Sequence, residues 1–437
     1  MADSGSEGEF WRRIERSGTP LIEDTSDGQV RVTFLFRENL QHREGLRRDE
    51  SASPFRVYVD ASSLTDHHGL HLTTMTRLDD TGIWFWSTET SRSWRGSYRF
   101  MPVSKSVADE LDPPGIGQTI DGVRSRFLGL LEHARQDEFN AKGFGRASMA
   151  EMPDAPVQRW WNDLDLPRVE PRKLQWDSAL LGVGRDVWIH ESPAAKENLE
   201  RPLVVILDGN RWVDESPLAP VLDRATEAGQ LPPAVFLFVD SIDSETRGRE
   251  LPCNRKFWEA VIEELLPLAA TEASFSDDPR RTVVSGQSYG GLASLYAGLE
   301  FPERFGLVSS QSGSFWWPVM SHGDQRGAAG GYIAEFLENR RYERDTPIAV
   351  DMNVGIHEGD MVRHNAHIRD MLRERNFEVT YEEFDGGHEW LCWRSTLVES
   401  LVRLLDEDSS EEVEHPTDQP SHDDENNESD QSQEHHR

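Results

Sequence analysis

Lysine is nearly absent. Only five of the 46 cationic residues are lysines (Lys105, Lys142, Lys173, Lys196 and Lys256), and the other cations are arginine. Against 79 Asp and Glu they leave a net charge of −33. That balance excludes a generic nucleic-acid binder, which needs basic stripes for phosphate contacts. Residues 406–437 hold 13 acids and one Arg, or −12, leaving −21 on the rest. The folded body is therefore acidic too, as suits a surface kept soluble at high salt or crowding, although an Arg-rich coding bias reads equally well. Cysteine is also scarce. Cys253 and Cys392 are the only two, too few for a disulfide framework and simplest as free thiols in a reducing cytoplasm. No apolar run approaches the ~18–20 residues of a membrane helix, so no membrane partner is expected. The start, MADSGSEGEFWRR, shows neither a basic nor an apolar leader region, so the expected location is cytoplasmic.

What is present divides into two kinds of pattern. The 437 residues exceed one ordinary domain and suit two, each able to bury a core. After an N-terminal segment (1–28), short β-like runs fill 29–150: VRVTFLF, PFRVYVD, GIWFWST and WRGSYRFMP, with a hairpin-type turn at Asp79-Asp80-Thr81-Gly82. They predict an all-β sandwich, with a helix over Gly122–Gln136. A Pro-punctuated linker covers 151–175. From 176 to 405, buried-strand runs such as LVVILD, AVFLFVD and PIAVDMNVG alternate with helical patterns such as FWEAVIEELLPLAA. That grammar predicts a mostly parallel sheet covered by helices on both faces, an α/β fold. The tail, 406–437, is too poor in apolar residues to fold.

The sharpest chemical signal is Gly286-Gln287-Ser288-Tyr289-Gly290, placed between the strand RTVVS and the helix GLASLYAGL. A serine on so tight a turn is exposed for nucleophilic attack, and the flanking glycines avoid clashes. The plain alternative is a Gly-flanked surface turn. In the order Ser, acid, His of α/β-hydrolases the base follows the last strand, which selects His388 in Asp385-Gly386-Gly387-His388-Glu389. The two glycines are expected to let that loop bend over the serine. His364 and His367 fall in a helical pattern instead. The acid belongs after the preceding strand, where Glu358 and Asp360 both stand; Glu358 is preferred for its loop position. Two backbone donors should form the oxyanion hole: Tyr289, after the nucleophile, and the Gly209-Asn210 loop.

These motifs resemble one family, the enterochelin (enterobactin) esterases. The resemblance runs from about Val32 to Leu405. It covers Ile242-Asp243, Arg247 with Glu250-Leu-Pro-Cys-Asn254 and Phe257-Trp258, GQSYGGLASLYAGL, PERFG and SQSGSFWWP. Later come VGIHEGDM, which supports Glu358, and GGHEWLCWR. In the first half it includes Thr65-Asp-His-His68, Trp94-Arg-Gly-Ser-Tyr98 and Glu151-Met-Pro153. The resemblance implies an immunoglobulin-like sandwich ahead of an α/β-hydrolase domain. It also implies a serine esterase that opens the trilactone of ferric catecholate siderophores and so releases iron.

Such a substrate is an anion with aromatic faces, so local cations must overcome the acidic surface. Arg247, Arg249 and Arg255 cluster after AVFLFVD, and Arg211 sits in the oxyanion loop. Arginine stays charged, donates in a fork and stacks on rings. By resemblance Arg247 grips the catecholate; the plain alternative is an ion pair with Glu250. Trp316 is expected to wall the pocket beside Trp317, with core packing the safer reading for one of them. His67, beside His68 and near His71, is read as a contact to substrate or to the second domain. No resident metal or cofactor is expected, since the iron belongs to the substrate. Two other readings stay open: a carbohydrate-ester or feruloyl esterase of the same fold, and a non-catalytic siderophore binder.

Overall fold

Val30, Val32 and Phe34 are fully buried while Arg31 and Thr33 between them are not, so this strand presents one face to a core. It belongs to the computed structural model that describes residues 4–38, 55–67, 71–79, 81–111, 120–161, 169–194, 200–319, 329–342 and 348–406. His68, Asp80 of the hairpin turn, the middle of the linker and nearly all of the acidic tail lie outside the described residues.

The first part contains β1 (Leu21–Asp24), β2 (Val30–Arg37), β3 (Arg56–Ala61), β4 (Thr76–Arg77), β5 (Ile83–Thr90), β6 (Arg95–Val103), β7 (Gly143–Phe144) and β8 (Ala147–Glu151). They form two antiparallel four-stranded sheets, ordered β1-β2-β5-β4 and β3-β6-β8-β7. A common core joins them: Val30, Val32, Phe34 and Trp84 from one sheet meet Val57, Val59, Tyr98 and Phe100 from the other. Residues before Val30 contribute β1 and a helix, Ser4–Ser17, whose Trp11 and Ile14 bury against Leu35 and Ile83. The predicted helix near 122–136 runs from Ile120 to Leu131.

The second part contributes β9 (Arg172–Ser178), β10 (Val183–Glu191), β11 (Leu203–Leu207), β12 (Val235–Val239), β13 (Thr282–Gln287), β14 (Leu307–Gln311), β15 (Ala349–Gly355) and β16 (Glu378–Phe384). They make one sheet in the order β16-β15-β14-β13-β11-β12-β10-β9. The six strands from β16 to β12 pair in parallel, while β10 and β9 add antiparallel at one edge. Strands β11, β12, β13 and β14 are buried along their whole length, and β11 and β12 accordingly read as unbroken apolar runs, while β13 and β14 end in buried polar residues. One core lies on each face. The larger holds Val205 and Leu207 of β11 with Phe257, Leu292 and Ile368; the other packs Val204, Ile206 and Phe238 against Trp212, Leu397 and Leu401. The loops at the carboxyl ends of β11, β13, β14, β15 and β16 therefore open onto one crevice, the usual place for a site in such sheets. Among the described residues no helix is long and apolar enough to cross a membrane.

Candidate active site

Strand β13 turns into the helix Tyr289–Glu300 within a single residue, Ser288. Its backbone stands at φ 59, ψ −115, a left-handed geometry that a non-glycine residue adopts only when its surroundings enforce it. The enforcing contacts are visible: Ser288 N–H donates to the Gln311 carbonyl at 2.9 Å, and its own carbonyl accepts from Leu292 and Ser314. A Cβ at Gly286 would fall 2.5 Å from the backbone of Gly290, so that position must be glycine. Gly290 does not follow the expectation, because a Cβ there would meet nothing closer than 3.5 Å. The crowded partner is Gly291, whose Cβ would lie 2.8 Å from the Gln311 carbonyl.

The loop after β16 brings His388 to the same crevice. Its Nδ1 lies 2.6 Å from Glu358 Oε2. The other carboxylate oxygen accepts from Gly355 N–H at 2.7 Å and from the Ser312 hydroxyl at 2.6 Å. With both oxygens engaged and its side chain about 1% exposed, Glu358 is fixed against the imidazole. Asp360 is elsewhere: it opens the helix Asp360–Arg373, is exposed, and faces Arg363. Trp393 closes the other side of His388, with its ring edge-on to the imidazole at 4.7 Å and its Nε1–H donating to Ser312.

Neither Gly386 nor Gly387 adopts a left-handed backbone, so the histidine loop does not use them to bend. They allow close approach instead: a Cβ would lie 2.6 Å from Cys392 Sγ at Gly386 and 2.8 Å from Ser63 Cβ at Gly387.

Ser288 and His388 line one cavity of about 400 Å³, together with Asp208, Asn210, Arg211, Ser241, Arg247, Trp390 and Trp393. The Ser288 hydroxyl is 3.2 Å from Ser314 Oγ. The floor by the serine is made by the end of β11. Gly209 there packs so tightly on β12 that a Cβ would lie 2.6 Å from the Phe238 backbone, and Asp208 before it is left-handed at φ 56. Asn210 then starts a short helical turn, Arg211–Glu215. Tyr289 supplies the first amide of the helix after the serine.

Arg247 reaches this floor and not Glu250. Its Nε and Nη2 grip both Asp208 oxygens at 2.7 Å, and Nη2 also donates to the Gln287 carbonyl at 3.1 Å. Burial works against the guanidinium charge, but Asp208 outweighs it and holds the Arg247 pKa above its ordinary value. Glu250 is taken by Arg185 at 2.5 Å, a buried pair. The other arginines of the expected cluster turn away, Arg249 to Glu250 and Arg255 to Glu259 and Glu300. Arg211 lines the cavity while pairing with Glu215.

Among the described residues that wall the cavity, neither Trp316 nor His67 figures. Trp316 sits behind Tyr289, ring to ring at 5.6 Å, and Trp317 packs on Tyr332 at the core edge. His67 lies 3.4 Å from Asp60 and stacks on Phe127. The aromatic wall is made by Trp390 and Trp393, which follow His388 closely in sequence.

Family comparison covers both parts of this architecture. Residues 31–161 match the enterochelin esterase N-terminal family, and residues 181–404 match a putative esterase family. The iron(III) enterobactin esterase of Dickeya dadantii is 41% identical over 91% of this chain and 92% of its own. The Escherichia coli iron(III) enterobactin esterase is 38% identical over 88% and 94%. The chain belongs to the enterochelin esterase family. A crystal structure of the ferric enterobactin esterase from Salmonella typhimurium superposes on this esterase with a TM-score of 0.79, at 37% identity, over 91% of this chain and 98% of the other. The Shigella flexneri enterobactin esterase, crystallised in the presence of enterobactin, gives 0.76 at 36% identity over 91% and 97%. The protein is thus a carboxylic ester hydrolase with a β-rich N-terminal part and an α/β-hydrolase-type domain.

Several residues of the esterase's site escaped the sequence reading. Gln311 bridges the serine elbow to the last helix: it accepts from Gln287 at 2.5 Å and donates to the Trp393 carbonyl at 3.0 Å. Ser312 holds Glu358 and Ser314 meets Ser288, both within the SQSGS run. Polar residues that continue a buried strand into a loop were the available signal.

Proposed function

We propose that this protein hydrolyses the serine ester bonds of ferric catecholate trilactone siderophores, with Ser288 as nucleophile, His388 as general base and acid, and Glu358 as the carboxylate that orients it. The observation that carries the reading is one cavity shared by Ser288, a Glu358-bound His388 and the cations Arg247 and Arg211. His388 takes the Ser288 proton through Nε2 while Nδ1–H stays on Glu358, whose charge stabilises the imidazolium. The serine oxygen adds to a lactone carbonyl, and the C–O bond to the leaving serine hydroxyl breaks as His388 returns the proton to it. Water, deprotonated by His388, then cleaves the acyl-enzyme and regenerates Ser288. By position the amide of Tyr289 and those of Gly209 and Asn210 receive the oxyanion.

The polyanionic ligand meets Arg247, whose Nη1 takes no part in the Asp208 pair, and Arg211 at the rim. Catechol rings have the Trp390 and Trp393 faces beside them, while Trp316 supports Tyr289 from behind. His67, which stands outside that cavity, keeps only the role of a loop contact within the N-terminal part. Iron enters as cargo, and no resident metal or cofactor takes part in the chemistry. Opening the macrocycle removes the preorganisation that holds three catechols on the metal and so weakens chelation. A cytoplasmic site of release fits the two free thiols, Cys253 and Cys392. The two sheets sharing one core are taken as an immunoglobulin-like sandwich over 29–150, and 176–405, with β9 reaching back to Arg172, as the catalytic domain.

The test is a time course of ferric and iron-free trilactone cleavage followed by mass spectrometry. Linear trimer, dimer and monomer should appear in turn with the wild-type protein. Ser288→Ala should lose about 10⁴-fold or more in turnover while retaining ligand binding. An active Ser288→Ala protein contradicts the mechanism.

A further inference from the structure

The loop that carries His388 is held from outside its own domain. Strand β6 begins at Arg95, and the turn before it carries Ser91 and Ser93. Three residues before the histidine, Asp385 Oδ2 accepts from the Ser93 hydroxyl at 2.6 Å and from that of Ser91, and the Asp385 carbonyl accepts from Arg95 N–H at 3.2 Å. One residue after the histidine, Glu389 Oε1 accepts from Ser97 N–H at 2.9 Å and Oε2 from the Ser97 hydroxyl. Between these anchors Gly386 lies against the Arg95 carbonyl and Gly387 against Ser63. The remaining Asp385 oxygen is 2.8 Å from His357 Nε2, next to the acid Glu358. Base loop and acid loop are thus tied to one segment of the N-terminal sheet.

Carboxylates are a costly way to join two domains. Burial raises the Glu389 pKa, and the Ser97 bonds only partly offset it. Apolar side chains would fill such a boundary at less cost, but they would not fix direction. Directional bonds at positions −3 and +1 leave the loop little freedom to rotate the imidazole, and productive geometry demands about 0.5 Å and 10–20°. The arrangement also accounts for two sequence motifs together, Trp94-Arg-Gly-Ser-Tyr98 and Asp385-Gly-Gly-His-Glu389, which meet here.

We propose that Ser91, Ser93 and Ser97 are positioning residues for the reaction: through Asp385 and Glu389 the N-terminal sheet sets where the His388 imidazole stands relative to Ser288. The proposal rests on the reading of His388 as the base. It is tested with a fluorophosphonate probe and p-nitrophenyl butyrate, neither of which requires siderophore recognition. Ser97→Ala, Glu389→Gln, their double variant and the Ser91→Ala/Ser93→Ala pair are compared with wild type, with the folded fraction measured for each. Each single variant should lower the Ser288 labelling rate and kcat about 10–100-fold with KM nearly unchanged. The double should cost little more than the worse single, because both break one link. Wild-type labelling rates in folded Ser97→Ala and Ser91→Ala/Ser93→Ala proteins would overturn the proposal and leave the triad standing. Labelling that persists in Ser288→Ala, or fails in wild type, would overturn the triad itself and the proposal with it.

Discussion

Asp208 has a left-handed backbone and a side chain about 3% exposed, and Arg247 covers both of its oxygens. Arg247 therefore has two duties, lining the cavity that holds Ser288 and neutralising the buried Asp208 carboxylate. Arg247→Ala should raise KM on catecholate substrates, and it should also lower stability by about 3–5 kcal/mol, because an unpaired buried charge remains. Chemical denaturation beside steady-state kinetics separates the two effects; a KM change without loss of stability would remove the second duty. The acid offers a sharper comparison. Glu358→Gln keeps the shape but cannot stabilise the imidazolium, and should cost about 10³–10⁴-fold in kcat. Asp360→Asn, exposed on the next helix, should behave as wild type in the same assay. The convergence of Ser288, His388 and Glu358 on one crevice was legible in the sequence because each follows a recognisable strand. Asp208 was not, since a residue that closes an apolar strand carries no sign of which distant arginine will meet it.

At the scale of elements, the central strands β11 and β12 were legible because burial on both faces leaves an unbroken apolar run. Less legible was β9, whose exposed and buried residues alternate within a Pro-flanked stretch that reads as linker. The helix Asp360–Arg373 shows how a residue set aside as a base can matter otherwise. His364 is buried, and its Nδ1 accepts from Gly330 N–H at 3.1 Å, just before the helix Gly331–Asn339. Burial, with Arg363 nearby, lowers the His364 pKa. A histidine depressed in the folded state contributes stability that is complete above its unfolded value, about 6.5, and is lost as pH falls through the folded value. Thermal midpoints measured between pH 8 and 5 should fall on the acid side. His364→Gln should show a smaller fall; an identical pH profile would place the acid sensitivity elsewhere.

Over the whole molecule the net charge is −33. Self-repulsion of that size opposes the compact state, and salt relieves it as the Debye length drops from about 10 Å at 0.1 M to about 3 Å at 1 M. The thermal midpoint should therefore rise with KCl over that range, and a flat response would show that local pairs such as Arg31–Glu89 already balance the surface. The central claim concerns covalent chemistry at one side chain. Its most direct measurement is rapid-quench peptide mass spectrometry of the protein mixed with ferric trilactone. A linear tris(dihydroxybenzoyl-serine) acyl adduct should build up on the peptide containing Ser288 before product release. Product formation with no adduct there, or with the adduct on another residue, would contradict the account.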